Sequence, residues 1–112
     1  MIQIKAYINY VETINIEGWI DNSILFDFKI EDIGSHNNWK QLLDACNGGI
    51  HKNYRWSLHS NQCEIDVNDN FTVFTCRIKN TDNELSIQVL KKNCIDAFSE
   101  IYEELLLTEK NK

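Results

Sequence analysis

The chain has 112 residues, 43% of them hydrophobic and 25% charged, and its formal net charge is −6. These values are typical of one globular domain. No apolar run approaches the roughly 20 residues of a membrane helix, and the acidic balance argues against nucleic-acid binding, which requires a basic surface. We expect a single α+β domain over 1–112, with a frayed tail at 109–112. Apolar and polar residues alternate at the N-terminus, which therefore does not resemble a signal peptide, so we expect the protein in the cytoplasm. The acidity suits a basic protein partner, although it would also serve solubility alone.

Alternating apolar and polar residues predict three strands at the start of the chain. They run over Ile2–Tyr10, Ile14–Ile20 and Ile24–Ile30, with turns at Val11–Thr13 and Asp21–Ser23. The predicted pairs across the first hairpin are Ile4 with Ile20 and Ile8 with Ile16, and those across the second are Ile20 with Ile24, Gly18 with Phe26, Ile16 with Phe28 and Ile14 with Ile30. All of these isoleucines and phenylalanines then share one buried face.

A short helix is predicted next, with Asn38 as its N-cap and Gln41 three residues later. Its apolar stripe consists of Trp39, Leu42, Leu43 and Cys46. The pair Gly48-Gly49 ends the helix in a left-handed conformation.

Four further strands come after the helix, separated by short Asn- and Asp-containing turns. They are Tyr54–His59, Gln62–Val67, Phe71–Lys79 and Glu84–Leu90, with turns at Ser60-Asn61, Asn68-Asp69 and Asn80–Asn83. The predicted pairs include Leu58 with Cys63, Trp56 with Ile65, Tyr54 with Val67, Cys63 with Phe74 and Ile65 with Thr72, while Cys76 and Ile78 face Leu85, Ile87 and Val89. One register again places the apolar residues on one face.

The chain closes with a predicted amphipathic helix from Cys94 to Leu107, with Asn93 as its N-cap. The element order is therefore β-β-β-α-β-β-β-β-α. We expect a single curved antiparallel sheet of about seven strands with both helices packed on its apolar face.

No group of residues has the spacing of a catalytic or metal site. Cys46, Cys63, Cys76 and Cys94 form no CxxC pair and lie at no ligand spacing from a histidine, so we expect buried free thiols. Gly48-Gly49 lacks the surroundings of a phosphate-binding loop. We therefore expect no enzymatic activity, no metal and no cofactor.

The outward face of the first three strands carries the main candidate site. The predicted register forms three cross-strand rows there: Lys5–Trp19–Leu25, Tyr7–Glu17–Asp27 and Asn9–Asn15–Lys29. Trp19 points outward, and Glu17 opposes Asp27 although like charges in opposition are destabilising. This arrangement is typical of a surface that binds a cationic partner. Alternatively, Lys5 stacks over Trp19 and Lys29 offsets the carboxylates within a plain solvated face.

A second candidate lies on the outward face of the later strands. Glu64 and Asp66 neighbour Phe71 and Val73 there. Glu31, at the end of the third strand, extends the first candidate surface. The predicted partner-binding residues are thus Tyr7, Glu17, Trp19, Leu25, Asp27, Glu31, Glu64 and Asp66.

In size, acidity, small α+β design and lack of catalytic groups, the chain resembles the immunity proteins encoded beside bacterial polymorphic toxins, such as those of contact-dependent growth inhibition. The resemblance covers architecture and charge and includes no matched motif. It implies an inhibitor that binds one toxin domain, often a basic nuclease, and blocks its active site. Carboxylates such as Glu17 and Asp27 would occupy the phosphate-binding cleft, with Trp19 as an anchor.

Two alternatives remain open. The first is a phage-type inhibitor or nucleic-acid mimic that uses the same surface against a host defence enzyme. The second is a small-ligand-binding protein with a cavity between sheet and helix, lined by Tyr54, Trp56, Phe74 and Phe98.

Overall fold

The computed structural model describes residues 2–9, 13–30, 34–48, 50–58, 61–78 and 81–110. Within them lie seven strands, two α-helices and one turn of 3₁₀-helix. In chain order these elements are β1 (Ile2–Ile8), β2 (Ile14–Ile20), β3 (Ser23–Ile30), α1 (His36–Cys46), β4 (Lys52–Leu58), β5 (Asn61–Val67), β6 (Phe71–Ile78), β7 (Glu84–Leu90), the 3₁₀ turn (Lys91–Cys94) and α2 (Ile95–Lys110). The predicted α+β class and element order are confirmed.

The strands form two antiparallel sheets, so the predicted single sheet is wrong. Sheet A has the order β1-β2-β3, and sheet B has the order β4-β5-β6-β7. The apolar faces of the two sheets meet directly, because the rings of Phe26 and Phe28 on β3 each lie 5.7 Å from the ring of Phe74 on β6. Facing sheets bury both apolar surfaces without an edge-to-edge join between them.

The helices complete the same core. Trp39 of α1 is fully buried, and its ring lies 6.0 Å from Tyr54 on β4 and 5.8 Å from Phe98 on α2. The helix α2 also packs against β1. One core therefore joins both sheets and both helices, and it contains most of the apolar residues that alternation assigned to the inner faces. Ile20, Ile24 and Leu85 were also assigned to an inner face, but they are exposed.

Both helices begin at residues other than those predicted. Ser35 is the N-cap of α1, and the backbone N–H of Asn38 already donates to its carbonyl oxygen at 3.1 Å. Asn93 lies inside the 3₁₀ turn and is not the N-cap of α2. Asn38 and Asn93 are residue types that N-cap positions prefer. However, the backbone of α1 becomes helical before Asn38, and the α-helix α2 begins only after the 3₁₀ turn that contains Asn93. Gly48 does have the predicted left-handed backbone, with φ of +91°.

Several predicted strand pairs are wrong by two residues, and each error comes from a turn centred one residue away from its predicted place. In sheet A, Asn9 N–H donates to Thr13 O at 2.9 Å, so that Ile4 pairs with Gly18 and Ile8 with Ile14. In sheet B the observed pairs are Trp56 with Cys63, Tyr54 with Ile65, Leu58 with Asn61, Cys63 with Cys76, Ile65 with Phe74 and Val67 with Thr72. A shift of two residues keeps every residue on its predicted face of the sheet, so the predicted division of these strands into two faces is unchanged.

The β2–β3 hairpin contains a bulge that the alternation did not predict. Ile14, Ile16 and Gly18 pair as predicted with Ile30, Phe28 and Phe26, but Trp19 then pairs with Ile24 and Ile20 with Ser23. The predicted pairs Ile20 with Ile24 and Trp19 with Leu25 are therefore wrong. The cause is a tighter turn at Asp21-Asn22, in which Asp21 has φ of +54°. A shift of one residue moves the residues near the turn to the opposite face, so Ile24 becomes exposed.

Candidate binding surface

The outward face of sheet A brings five of its polar and aromatic side chains into one group. The observed register places Lys5 opposite Glu17, and Glu17 opposite Asp27. Trp19 lies two residues after Glu17 on the same face, and Tyr7 lies two residues after Lys5. We call Lys5, Tyr7, Glu17, Trp19 and Asp27 the Glu17 patch. The predicted opposition of Glu17 and Asp27 is confirmed, but Lys5 moves from the Trp19 row to the Glu17 row and Tyr7 moves to the row of Asn15.

Two aromatic side chains hold the Glu17 carboxylate in place. The Tyr7 hydroxyl donates to Oε2 at 3.1 Å, and Trp19 Nε1 donates to Oε1 at 3.1 Å. The hydrogen bond to Glu17 is the main reason that the pKa of Tyr7 is raised, with burial and the nearby carboxylates adding to it. Each carboxylate oxygen therefore has one internal donor and a fixed direction.

Lys5 lies over the Trp19 ring, with its Nζ 4.7 Å from the ring centroid. The predicted alternative, a cation–π contact at this position, is therefore present. Such a contact keeps the ammonium close to the paired carboxylates and reduces their mutual repulsion. The Glu17 patch is thus a mixed group in which each charge has a near neighbour.

Asp27 is joined to this group through a chain of amides. Asn9 Nδ2 donates to Asn15 Oδ1 at 2.9 Å, and Asn15 Nδ2 donates to Asp27 Oδ1 at 3.2 Å. Asn15 is only 5% exposed although its strand position faces outward. A buried amide with both ends hydrogen-bonded is favourable and rigid, so it also fixes the direction of the Asp27 carboxylate.

Exposed aliphatic side chains border the patch at the β2–β3 hairpin. Leu25 is 57% exposed, Ile24 is 52% exposed and Ile20 is 43% exposed. Ile24 is the direct cross-strand neighbour of Trp19 because of the bulge. Leu25 was predicted to lie outward beside Trp19; it is exposed, and Ile24 has taken its cross-strand place. The result is an apolar border beside the hydrogen-bonded carboxylates.

The second predicted surface lies on sheet B, away from the strands that carry the Glu17 patch. Glu64 accepts a hydrogen bond from Arg55 Nε at 2.6 Å. Asp66 lies 2.6 Å from His51 Nε2 and accepts from Asn53 Nδ2 at 3.0 Å. Burial opposes ionisation of Asp66, but the hydrogen bonds from Asn53 and His51 outweigh it and lower the pKa of this carboxyl. Glu31, also predicted as a site residue, lies outside the described residues.

The outward face of sheet B also contains a cleft that was not predicted from the sequence. Its volume is about 460 Å³, and its lining residues are Arg55, Ser57, Gln62, Cys63, Glu64, Thr75, Arg77 and Glu84. Arg77 Nη2 lies 2.5 Å from Glu84 Oε2, and this hydrogen bond is the main reason that the pKa of Arg77 is raised. Charges of alternating sign, Arg55, Glu64, Arg77 and Glu84, succeed one another from β4 to β7. The observed register places Arg55 opposite Glu64 and Arg77 opposite Glu84, whereas the predicted β4–β5 pairing would have placed Arg55 opposite Asp66.

The four cysteines are free thiols, and Cys46, Cys63 and Cys94 are buried as predicted, whereas Cys76 is partly exposed. Within the described part of the chain, no three His, Cys, Asp or Glu side chains are grouped so that they could hold a metal ion. In that same part, neither helix has the length and apolar character needed to cross a membrane.

Comparison of the chain with known protein families, with curated proteins and with solved structures finds no match. The case for a function therefore depends on the geometry and charge of the surfaces described above.

Proposed function

We propose that the chain is a non-enzymatic protein inhibitor that inserts its Glu17 patch into the basic active-site cleft of a cognate toxin. This is the role of the immunity proteins that the chain resembles. We also propose that the chain is located in the cytoplasm, where free thiols stay reduced. A net charge of −6 favours association with a basic partner such as a nuclease.

The observation that carries the proposal is the prearranged Glu17 carboxylate. Tyr7 and Trp19 each donate one hydrogen bond to it. An ionised carboxylate offers about four acceptor positions, so two remain for an incoming guanidinium or ammonium group. A side chain that is already ordered loses little rotamer entropy on binding, which increases affinity. Asp27, held by Asn15, offers a second acceptor beside the first.

The aliphatic border supports the same proposal. Ile24 and Leu25 are more than half exposed, and Ile24 is the direct cross-strand neighbour of Trp19. Binding hot spots combine an aromatic or charged anchor with surrounding contacts that exclude water. A partner seated on Trp19 would cover these two side chains and would strengthen the charged contacts by removing water.

The sheet B carboxylates are the weaker choice for the same partner. Glu64 already has the cation Arg55, and Asp66 has His51 and Asn53. A cationic partner would have to displace these groups and would gain less from the exchange. We therefore assign the partner contact first to Glu17, Trp19, Asp27, Tyr7 and Leu25, and only second to Glu64 and Asp66.

Of the two alternatives, the phage-type inhibitor uses the same surface and differs only in its target. The neighbouring gene separates them, because an immunity gene accompanies a toxin gene. The small-ligand alternative gains no support from the packing, because Phe74 and Phe98 are fully buried and their rings contact Phe26, Phe28 and Trp39.

The test is co-expression with the protein encoded by the neighbouring gene, with co-purification and then a nuclease assay. We expect a stoichiometric complex with the wild-type chain and loss of nuclease activity in that complex. The double variant Glu17→Lys with Asp27→Lys should weaken the complex by at least about 30-fold, which corresponds to a hot-spot loss of about 2 kcal/mol.

The control is Glu103→Lys with Glu104→Lys on α2, where both residues are exposed. It changes the net charge by the same amount as the patch variant, so it separates a local contact from overall acidity. Equal binding by the patch variant and the wild type would reject the Glu17 patch as the contact surface. A neighbouring gene product that neither binds nor has toxic activity would reject the immunity role.

A further inference from the structure

Two of the four cysteines are direct cross-strand neighbours. Cys63 on β5 pairs with Cys76 on β6, and their Sγ atoms lie 3.4 Å apart with the Cys63 thiol donating to Cys76. Neither thiol belongs to the proposed partner contact, whose first choice is the Glu17 patch on the other sheet.

The backbone spacing at this pair already suits a disulfide. Directly opposed residues of antiparallel strands have Cα atoms roughly 4.5–5.5 Å apart, and disulfides occur at Cα separations of roughly 4.4–6.8 Å. The two sulfurs would have to approach from 3.4 Å to about 2.05 Å. The strands already hold the two residues at a suitable backbone spacing, so we expect side-chain rotation to supply most of this approach.

Cys63, Cys76 and Leu85 are cross-strand neighbours in one row, and the exposed fraction of these residues increases from the middle of sheet B to its edge. Cys63 is 4% exposed, Cys76 is partly exposed, and Leu85, the next residue across on β7, is 67% exposed. Cys76 is thus the more exposed of the two thiols, and Cys63 is the more buried one. Burial, with the hydrogen bond to Cys76, raises the pKa of the Cys63 thiol to about 12. Cys76 is therefore the sulfur that an external reagent meets first.

We propose that Cys63 and Cys76 form an intrachain disulfide by exchange with a small-molecule disulfide such as oxidised glutathione. The Cys76 thiolate attacks one sulfur of the reagent, breaks its S–S bond and releases one glutathione thiolate. Cys63 then gives up its proton and attacks Cys76 Sγ, which releases the second glutathione. The protein loses two electrons and two protons, and one oxidised glutathione becomes two reduced molecules.

The other two cysteines provide an internal comparison. Cys46 and Cys94 are both buried, and both lie near the buried Thr72, with Cys46 Sγ 3.8 Å from Thr72 Oγ1. Burial raises the pKa of Cys94 to about 12. These thiols are enclosed by α1, the 3₁₀ turn and sheet B, so the same reagent should leave them reduced while the protein is folded.

The test treats the folded full-length chain with oxidised glutathione and then blocks the remaining thiols with an alkylating reagent. The intact mass should correspond to a chain that has lost two hydrogen atoms, has gained two alkyl groups and carries no glutathione adduct. Peptide mapping should place the disulfide between Cys63 and Cys76 and the alkyl groups, added after denaturation, on Cys46 and Cys94.

Two single variants test the order of the steps. Cys63→Ser removes the resolving thiol, so a glutathione adduct on Cys76 should accumulate at least about 10-fold above the wild-type level. Cys76→Ser should leave Cys63 unmodified. The proposal fails if wild-type Cys63 and Cys76 both stay alkylatable, if the bond maps to Cys46 and Cys94, or if all four thiols react together, as they would in an unfolded chain.

Discussion

At the scale of single residues, the fold favours the ionised form of one carboxyl group, that of Asp66. Asn53 and His51 hydrogen-bond its carboxylate, and its pKa lies below the ordinary value of 3.8 despite partial burial. A carboxyl group whose pKa is lowered in the folded state stabilises that state above its unfolded pKa, and the contribution is lost as the pH falls through the folded pKa.

We therefore expect Asp66→Asn to be less stable than the wild type at neutral pH and to approach it below pH 3.8. Urea unfolding monitored across this pH range measures the difference. Asp44→Asn on the exposed face of α1 is the matched control and should change the free energy of unfolding little, because the pair of Asp44 with Lys40 is exposed to solvent. A stability gap at Asp66 that stays constant into acid would contradict the assignment.

Residue-scale features of the candidate site were partly predictable. Alternation alone placed Glu17 opposite Asp27 and both on the outward face, and the pairing confirms this. The donors from Tyr7 and Trp19 to Glu17 were not predicted, because they depend on side-chain rotamers and on the register of β1. Short-range pattern sets the face of a residue, whereas its hydrogen-bond partner depends on the neighbouring strand.

At the scale of elements, the β2–β3 hairpin depends on Gly18. A Cβ atom at this position would lie 2.2 Å from Cε1 of Phe26, the residue directly across the sheet. The ring of Phe26 thus occupies the space that any other side chain would need, immediately before the bulge. Glycine is required here for close packing and not for a left-handed backbone.

Gly18→Ala should consequently lower the free energy of unfolding by about 1–3 kcal/mol, the range for overpacked cores. The loss should shrink by at least about 0.5 kcal/mol in a Phe26→Leu background, where the ring no longer blocks the added methyl group. Urea denaturation of the four chains of this cycle measures the coupling.

Gly48→Ala supplies the comparison, because a Cβ there has open space and only the backbone φ of +91° is strained. Its cost, about 1 kcal/mol, should be the same with Phe26 or Leu at position 26. Additive losses for Gly18→Ala and Phe26→Leu would show that the ring moves aside freely.

The strands themselves were predictable, while their pairing was only partly so. Every hairpin error but one is a shift of two residues, which leaves the buried face intact and is invisible to a pattern of period two. The exception is the bulge before Trp19, where the shift of one residue exposes Ile24. Nothing in the alternation of Ile20, Ile24 and Phe26 marks that irregularity, since it results from the tight turn at Asp21-Asn22.

At the scale of the whole molecule, Phe74 joins the two sheets. Its side chain is fully buried, and its ring contacts Phe26 and Phe28 of the opposite sheet. Alternation assigned these residues to apolar faces, but the predicted fold joined those faces into one sheet. The pattern indicates which side of a strand is buried and contains no information about which strand edge continues into the next.

Phe74→Ala should therefore destabilise the entire domain by about 3–5 kcal/mol, the usual cost of removing a core phenylalanine. Both sheets and both helices share this core, so signals from circular dichroism and from tryptophan fluorescence should shift together in one transition. Leu85→Ala on the exposed edge of β7 should cost less than about 0.5 kcal/mol. Separate transitions for the two signals would show that sheet A and sheet B unfold independently.

Along the strands of sheet A, the residues of the candidate binding surface alternate with the residues of the core. The Glu17 patch occupies odd-numbered positions, from Lys5 to Asp27, and the core residues of the same strands occupy even-numbered ones, such as Ile4, Ile16 and Phe26. Substitutions at odd positions can thus change the partner while the even positions keep the fold. Ile24 is the even-numbered exception on the outer face, so the bulge that exposes it adds one aliphatic side chain to the rim of this surface.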